Sequence, residues 1–173
     1  MNVARTERTI HANIAEVWDK VSFYEEVKAR PNWFLRMTLP LPVRTVGDHK
    51  TVGTLCRCEY SDEQYIMKRI THAAPNAALE FSVTEASEQF ERFLSLKGGS
   101  IHLASVEEGR TRVTMATNYE AKGSGFILRR LLTDHIIRAM HRFVMQDMAA
   151  SIARTSPCPT LGSHPNRDTA SAV

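Results

Sequence analysis

The stretch Ser100-Ile-His-Leu-Ala-Ser-Val-Glu-Glu-Gly-Arg-Thr-Arg-Val-Thr-Met-Ala-Thr-Asn-Tyr-Glu120 decides the fold, because it fixes a hairpin together with its register. Glu107-Glu108-Gly109 separates two alternating runs, and a three-residue loop ending in a left-handed glycine is a common way to join antiparallel strands. With that loop Leu103 faces Val113 and Ile101 faces Met115, so one face collects the apolar set. A two-residue loop would instead set His102 opposite Met115. The first register predicts that His102 points to solvent.

Beyond the hairpin, Ser124 to Ala153 reads as one amphipathic helix of about 30 residues, roughly 45 Å long at about 1.5 Å per residue. At 100° per residue Ile136, Ile137, Met140, Phe143, Val144 and Met148 fall on one arc. Arg138, His141, Arg142 and Gln146 fall outside it or on its rim, and His135 and His141 read as surface residues too far apart in azimuth to share a metal. Arg130, Asp134, Arg138 and Arg142 recur every fourth residue, as in an exposed salt-bridged stripe. From Arg154 the composition turns to Pro, Ser, Thr and Gly, so 154–173 is expected to be a disordered tail beside a single domain, 1–153.

Before the hairpin the chain reads as a meander: Thr54 to Tyr60, Glu63 to His72 and Ala77 to Glu85, with turns at Ser61-Asp62 and Pro75-Asn76. Phe90 to Lys97 is either a strand turning at Gly98-Gly99 or part of one long strand with the glycines as a bulge. At the N-terminus Val3 to His11 reads as a strand. A helix follows it, with Asn13 as N-cap and Glu16 closing a capping box. A second short helix, Phe23 to Ala29, precedes Pro31. Trp33 to Leu39 reads as a strand broken by Pro40 and Pro42, followed by a loop.

The 173 residues, 43% hydrophobic and 24% charged, suit one globular domain and exclude collagen-like, disordered and coiled-coil classes. No apolar run reaches the roughly 18 residues of a membrane span, so membrane insertion is not expected. The net charge of +3 comes from dispersed residues, which argues against nucleic acid as a partner. Three cysteines at no zinc spacing and a charged N-terminus point to a reducing cytoplasm, with Cys56 and Cys58 as small buried hydrophobes and no metal site. No His-Glu-x-x-His, Gly-x-x-x-x-Gly-Lys, Gly-x-Ser-x-Gly or Gly-x-Gly-x-x-Gly motif occurs, which removes the common hydrolases, P-loop enzymes and Rossmann oxidoreductases and leaves no cofactor expected. Asp147 shares the azimuth of Met140 and Phe143, where a carboxylate must be paired or face water. Arg69 alternates with Tyr65 and Met67; facing inward it would orient a carboxylate or enolate oxygen, and facing outward it is a surface charge.

This succession of one strand, two short helices, a run of antiparallel strands and a long C-terminal helix resembles the START-like, helix-grip superfamily. That superfamily includes the polyketide cyclase/dehydrase and lipid transport family and the pollen-allergen-type plant proteins. The resemblance rests on Thr9-Ile-His-Ala-Asn-Ile-Ala-Glu-Val-Trp18, Val52-Gly-Thr-Leu55, and Gly109-Arg-Thr-Arg-Val-Thr-Met115 leading through Asn118-Tyr-Glu-Ala-Lys-Gly123 into the helix. It spans roughly 2–153. It departs at Val46 to Gly53, where only Gly47 and Gly53 remain of the glycine-rich loop of the plant relatives, so phosphate or nucleotide binding there is not implied.

The resemblance implies an α+β fold, a curved antiparallel sheet of six to seven strands gripping the helix, with a cavity for a small hydrophobic or amphipathic ligand. Tyr60, Phe81, Ile101, Leu103, Met115 and Tyr119 suit the concave face, with Met140, Phe143 and Val144 facing them from the helix. Three functions stay open. The first is binding or transport of a small hydrophobic or lipid-like molecule. The second is an aromatase/cyclase-like enzyme in which Tyr119, Arg69 or Asp147 polarises a carbonyl and moves a proton. The third is a protein-interaction module of the chaperone-activator or ribosome-associated type, marked by an exposed apolar patch and a filled core.

Overall fold

The computed structural model describes residues 1–27, 29–120 and 126–155. Seven strands, β1 (Asn2–Ile10), β2 (Pro42–Val46), β3 (Leu55–Tyr60), β4 (Tyr65–Ala74), β5 (Ala78–Ala86), β6 (Ser95–Glu107) and β7 (Arg110–Glu120), form one antiparallel sheet. Its order is β1-β7-β6-β5-β4-β3-β2, so the first strand closes against the last and the meander runs outward from them. Helices α1 (Ile14–Asp19), α2 (Trp33–Thr38) and α3 (Glu88–Phe93) and a 3-10 turn at Tyr24–Glu26 fill the connections, and α4 (Phe126–Thr155) follows the sheet. This is the helix-grip arrangement.

The deciding hairpin has the expected register, with Ile101 paired to Met115, Leu103 to Val113 and His102 exposed, but not through the expected three-residue loop: Glu107 pairs with Arg110 across a two-residue turn, and a bulge between Ser105 and Glu107 restores the register. Gly109 sits in the left-handed region at φ 66°, as its turn requires. Gly98 and Gly99 lie inside one long β6 strand, as in the second of the two readings, but the bulge falls just before them, between Leu96 and Gly98. A β-carbon on Gly99 would lie 2.5 Å from the Ala116 carbonyl oxygen and 3.0 Å from the Phe81 ring, so the glycine leaves the room this ring occupies.

Three expectations for the connections are corrected. Trp33–Thr38 is helix, because Asn32 caps it by accepting from the Leu35 amide at 3.0 Å. Leu35 and Leu39, four apart, are buried while Trp33 and Met37 face solvent, a helical period. The strand lies just after it, at Pro42–Val46, beyond the expected break at Pro40 and Pro42 and before the turn residues Gly47 to Gly53. Glu88–Phe93 is also helical, so β6 starts only at Ser95, and the expected Phe23–Ala29 helix is a single 3-10 turn. The capping box predicted for α1 is present: Asn13 Oδ1 accepts from the Glu16 amide at 3.0 Å, and Glu16 Oε2 accepts from the Asn13 amide at 3.2 Å.

Helix α4 covers 30 residues and ends at Thr155, two residues beyond the expected end. Residues 124–125, where its start was expected, and 156–173, most of the expected disordered tail, lie outside the described residues. Its buried residues are Ile136, Ile137, His141, Val144, Met145, Met148 and Ile152, four of them (Ile136, Ile137, Val144 and Met148) on the expected arc, with Met140 and Phe143 half-buried at its edge. The core face is therefore turned by roughly 70° from the expected arc, less than one residue step of about 100°. His141, read as a surface residue, is consequently in the core, whereas His135 is exposed.

Candidate functional site

Between the concave face of the sheet and α4 lies a largely apolar cavity of about 50 Å³. The sheet contributes Tyr60, Lys68, Phe81, Ser100, Ile101, Met115 and Thr117, and α4 contributes Met140, His141 and Val144. Phe23, Tyr24 and Glu25 from the 3-10 segment, Leu39 and Pro40 after α2, and Phe90 and Leu94 around α3 complete the wall.

Two polar clusters interrupt this lining. In the first, Lys68 Nζ donates to Glu25 Oε2 at 2.7 Å, and the Tyr60 hydroxyl donates to Glu25 Oε1. Lys68 faces inward because Ile66 and Ile70 claim the same side of β4. Its ammonium lies 4.4 Å from the Phe23 ring centroid and 5.1 Å from that of Phe81, so aromatic faces take up part of its charge. Burial works most strongly against the Lys68 charge, but the charge and hydrogen bond of Glu25, together with Cys58 and Glu26, leave the ammonium pKa raised. Burial and the Glu25 charge hold the Tyr60 phenol well above its usual range, so it remains a proton donor.

The second cluster joins His141 Nε2 to Thr117 Oγ1 at 2.8 Å and His141 Nδ1 to Thr6 Oγ1 at 3.3 Å. Burial, aided by the nearby Arg138 charge, lowers the His141 pKa to about 4. The imidazole is neutral at pH 7. Tyr24 adds a third polar group: its hydroxyl is buried with no hydrogen-bond partner among the described residues. Its pKa is raised to about 12 by burial and then by Glu25, which keeps it un-ionised.

Of the residues named from sequence, Tyr60, Phe81, Ile101, Met115, Met140 and Val144 line this cavity. Leu103 and Tyr119 are buried but outside the lining, and Phe143 packs edge-on against Tyr24 with centroids 6.1 Å apart. The three catalytic candidates are not brought together. Tyr119 reaches the Arg130 carbonyl oxygen at 3.4 Å, at the start of α4. Arg69 is on the outer face, its guanidinium donating to the Gly53 carbonyl at 3.4 Å, because the isoleucines set the inward phase of β4. Asp147 borders a separate open groove of about 510 Å³ with Asp19, Lys20, Glu26, His49 and Lys50. In that groove His49 Nδ1 and Glu26 Oε1 are 2.9 Å apart.

Sequence reasoning missed Glu25, Lys68, Thr117, His141 and Tyr24. Lys68 carried a signal, since it stands between two β-branched residues at alternate positions. Glu25 carried none, because the 3-10 turn that aims it inward has no periodicity. Cys56 and Cys58 are free and buried, and burial raises the Cys58 thiol to about 12, so neither is a nucleophile in this structure. No group of His, Cys, Asp and Glu among the described residues is arranged to hold a metal.

No family model matches the sequence and no curated relative matches it. Solved structures do match. The Zhui aromatase/cyclase from Streptomyces sp. R1128 is 10% identical, with a TM-score of 0.61 over 88% of this chain and 94% of that one. Norcoclaurine synthase from Thalictrum flavum, in complex with dopamine and hydroxybenzaldehyde, is 13% identical, with a TM-score of 0.59 over 91% and 89%. The Aha1 dimer from Colwellia psychrerythraea is 11% identical, with a TM-score of 0.55 over 88% and 96%. At such identities the likeness shows the fold.

Proposed function

We propose that this helix-grip chain binds a small, uncharged, predominantly apolar molecule carrying one hydrogen-bond acceptor, in the cavity between the sheet and α4. The observation that carries this reading is the buried Lys68–Glu25–Tyr60 cluster in a predominantly apolar wall. A core built only for stability does as well or better with hydrophobic residues in place of a buried ion pair. A polar cluster facing a cavity instead orients a guest.

The charge balance selects the guest. Lys68 is already neutralised by Glu25 and flanked by two rings, so an anion would have to break the pair and strand a carboxylate. A neutral carbonyl or ether oxygen can instead accept from Tyr24, whose hydroxyl has no described partner. The rings of Phe23, Tyr24, Tyr60, Phe81 and Phe90 favour an aromatic body. The norcoclaurine synthase match, which holds dopamine and hydroxybenzaldehyde, supports small oxygenated aromatics as a class.

Size sets a condition. About 50 Å³ is far below the roughly 300–1,000 Å³ of ordinary ligand pockets, so a guest enters by displacing side chains. Met115 and Met140, unbranched and adaptable, are suited to give way.

Calorimetric titration with acetophenone, ethylbenzene and benzoate tests the reading. Acetophenone is expected to bind best, ethylbenzene about fivefold to tenfold more weakly, as suits one hydrogen bond of about 1 kcal/mol, and benzoate worst. Tyr24→Phe is expected to remove the preference for acetophenone over ethylbenzene. Benzoate binding best, or none of the three binding, would refute the proposal.

A further inference from the structure

We propose that the outer faces of α2 and the first turns of α4 form a docking surface for an anionic lipid bilayer. Trp33 and Met37, one turn apart on α2, are 73% and 78% exposed, and Leu128 on α4 is 75% exposed. Leu131 and Leu132 are exposed as well, and with Leu128 and His135 they follow the i, i+3, i+4, i+7 spacing of a single helix face. The two faces are continuous. The Phe34 ring packs edge-on to His135 at 5.5 Å and to Trp33 at 6.3 Å, bridging the helices. Large apolar side chains gathered this way mark an interaction surface, unlike singly scattered ones.

Charge identifies the occupant. Segments 29–38 and 126–135 carry Arg30, Arg36, Arg129 and Arg130 against one acidic residue, Asp134, which is paired with Arg138, and Asp62 borders Met37 from the neighbouring turn; the whole chain has 22 basic and 19 acidic residues. Arg30, Arg36 and Arg130 are exposed beside the apolar stripe. Tryptophan and leucine on one face with arginine at the margin is the pattern of helices that lie in the headgroup region of a bilayer. A second copy of this chain would set like charges against each other across a two-fold axis. This surface docks without inserting a span, as no described helix is long and apolar enough to cross a membrane.

The test uses the full chain with vesicles of phosphatidylcholine alone and of phosphatidylcholine with 30% phosphatidylglycerol, read by flotation and by tryptophan emission. Of the two tryptophans Trp18 is buried, so a blue shift reports Trp33. Binding and a blue shift are expected with the anionic vesicles, reversing as salt is raised. Arg36→Gln with Arg130→Gln is expected to weaken partitioning about fivefold per arginine, and Trp33→Ser with Met37→Ser to abolish it. Val52→Ser, an exposed apolar change elsewhere, is expected to leave binding unchanged. Equal binding to both vesicles, no binding to either, or a dimer that dissociates on Trp33→Ser/Met37→Ser without vesicle binding would overturn the proposal.

Discussion

Lys68 is the residue on which the interior chemistry turns, since it brings a full charge into a wall of aromatic and aliphatic side chains. Its partner Glu25 is equally buried. Lys68→Met should cost about 3–5 kcal/mol by leaving the carboxylate buried and unpaired. The double variant Lys68→Met/Glu25→Gln should recover most of that loss, because no net charge is then stranded. Urea denaturation of the two variants and the parent checks this, and equal losses in both variants would show that the pair is not what balances the site. His141 gives a second test. Its folded pKa of about 4 lies below the unfolded value near 6.5, so between those values the unfolded chain binds more protons and stability falls as pH falls. The loss through that window should approach about 3 kcal/mol, and His141→Gln should flatten it. An unchanged slope in His141→Gln would place the titration elsewhere.

At the scale of elements, what was legible followed from alternation. The β6–β7 register, the solvent-facing His102 and the α1 capping box could be read because two-residue periodicity and local side-chain spacing determine them. Helix α2 was misread because its six residues are too few to show a period, and the deciding feature is the cap at Asn32. The α4 face was turned because Met145 and Ile152 belong to the core stripe and His141 lies within it, satisfied by two threonines that only the tertiary fold brings near. For the same reason half of the candidate site was illegible. Its apolar members lie on regular strands and α4, whereas Glu25 and Tyr24 hang from an aperiodic turn. The glycines that follow the β6 bulge yield a prediction of their own. Gly99→Ala forces a β-carbon against backbone and the Phe81 ring and should cost more than the roughly 1 kcal/mol expected for Gly109→Ala, whose β-carbon meets nothing within 4 Å. Thermal denaturation gives the order, and the reverse order would mean that the Phe81 ring and the strand beside Gly99 yield to the added carbon.

For the whole molecule, the two proposals rest on different residues. The facing surfaces of the sheet and α4 enclose a small cavity whose charges cancel, and the outer faces of α2 and α4 present apolar side chains beside arginines. The catalytic trio expected for a cyclase-like enzyme is dispersed over the outer face of β4, the start of α4 and an open groove. The cavity and the surface are separable, because Trp33, Met37 and the exposed leucines do not line the interior. Backbone amide shift mapping during an acetophenone titration tests ligand binding in the cavity most directly. Saturable shifts clustered at Phe81, Ile101, Met115, Thr117 and Val144 are expected. Shifts confined to Trp33–Thr38 and the first turns of α4, or no saturable shifts at all, would contradict it.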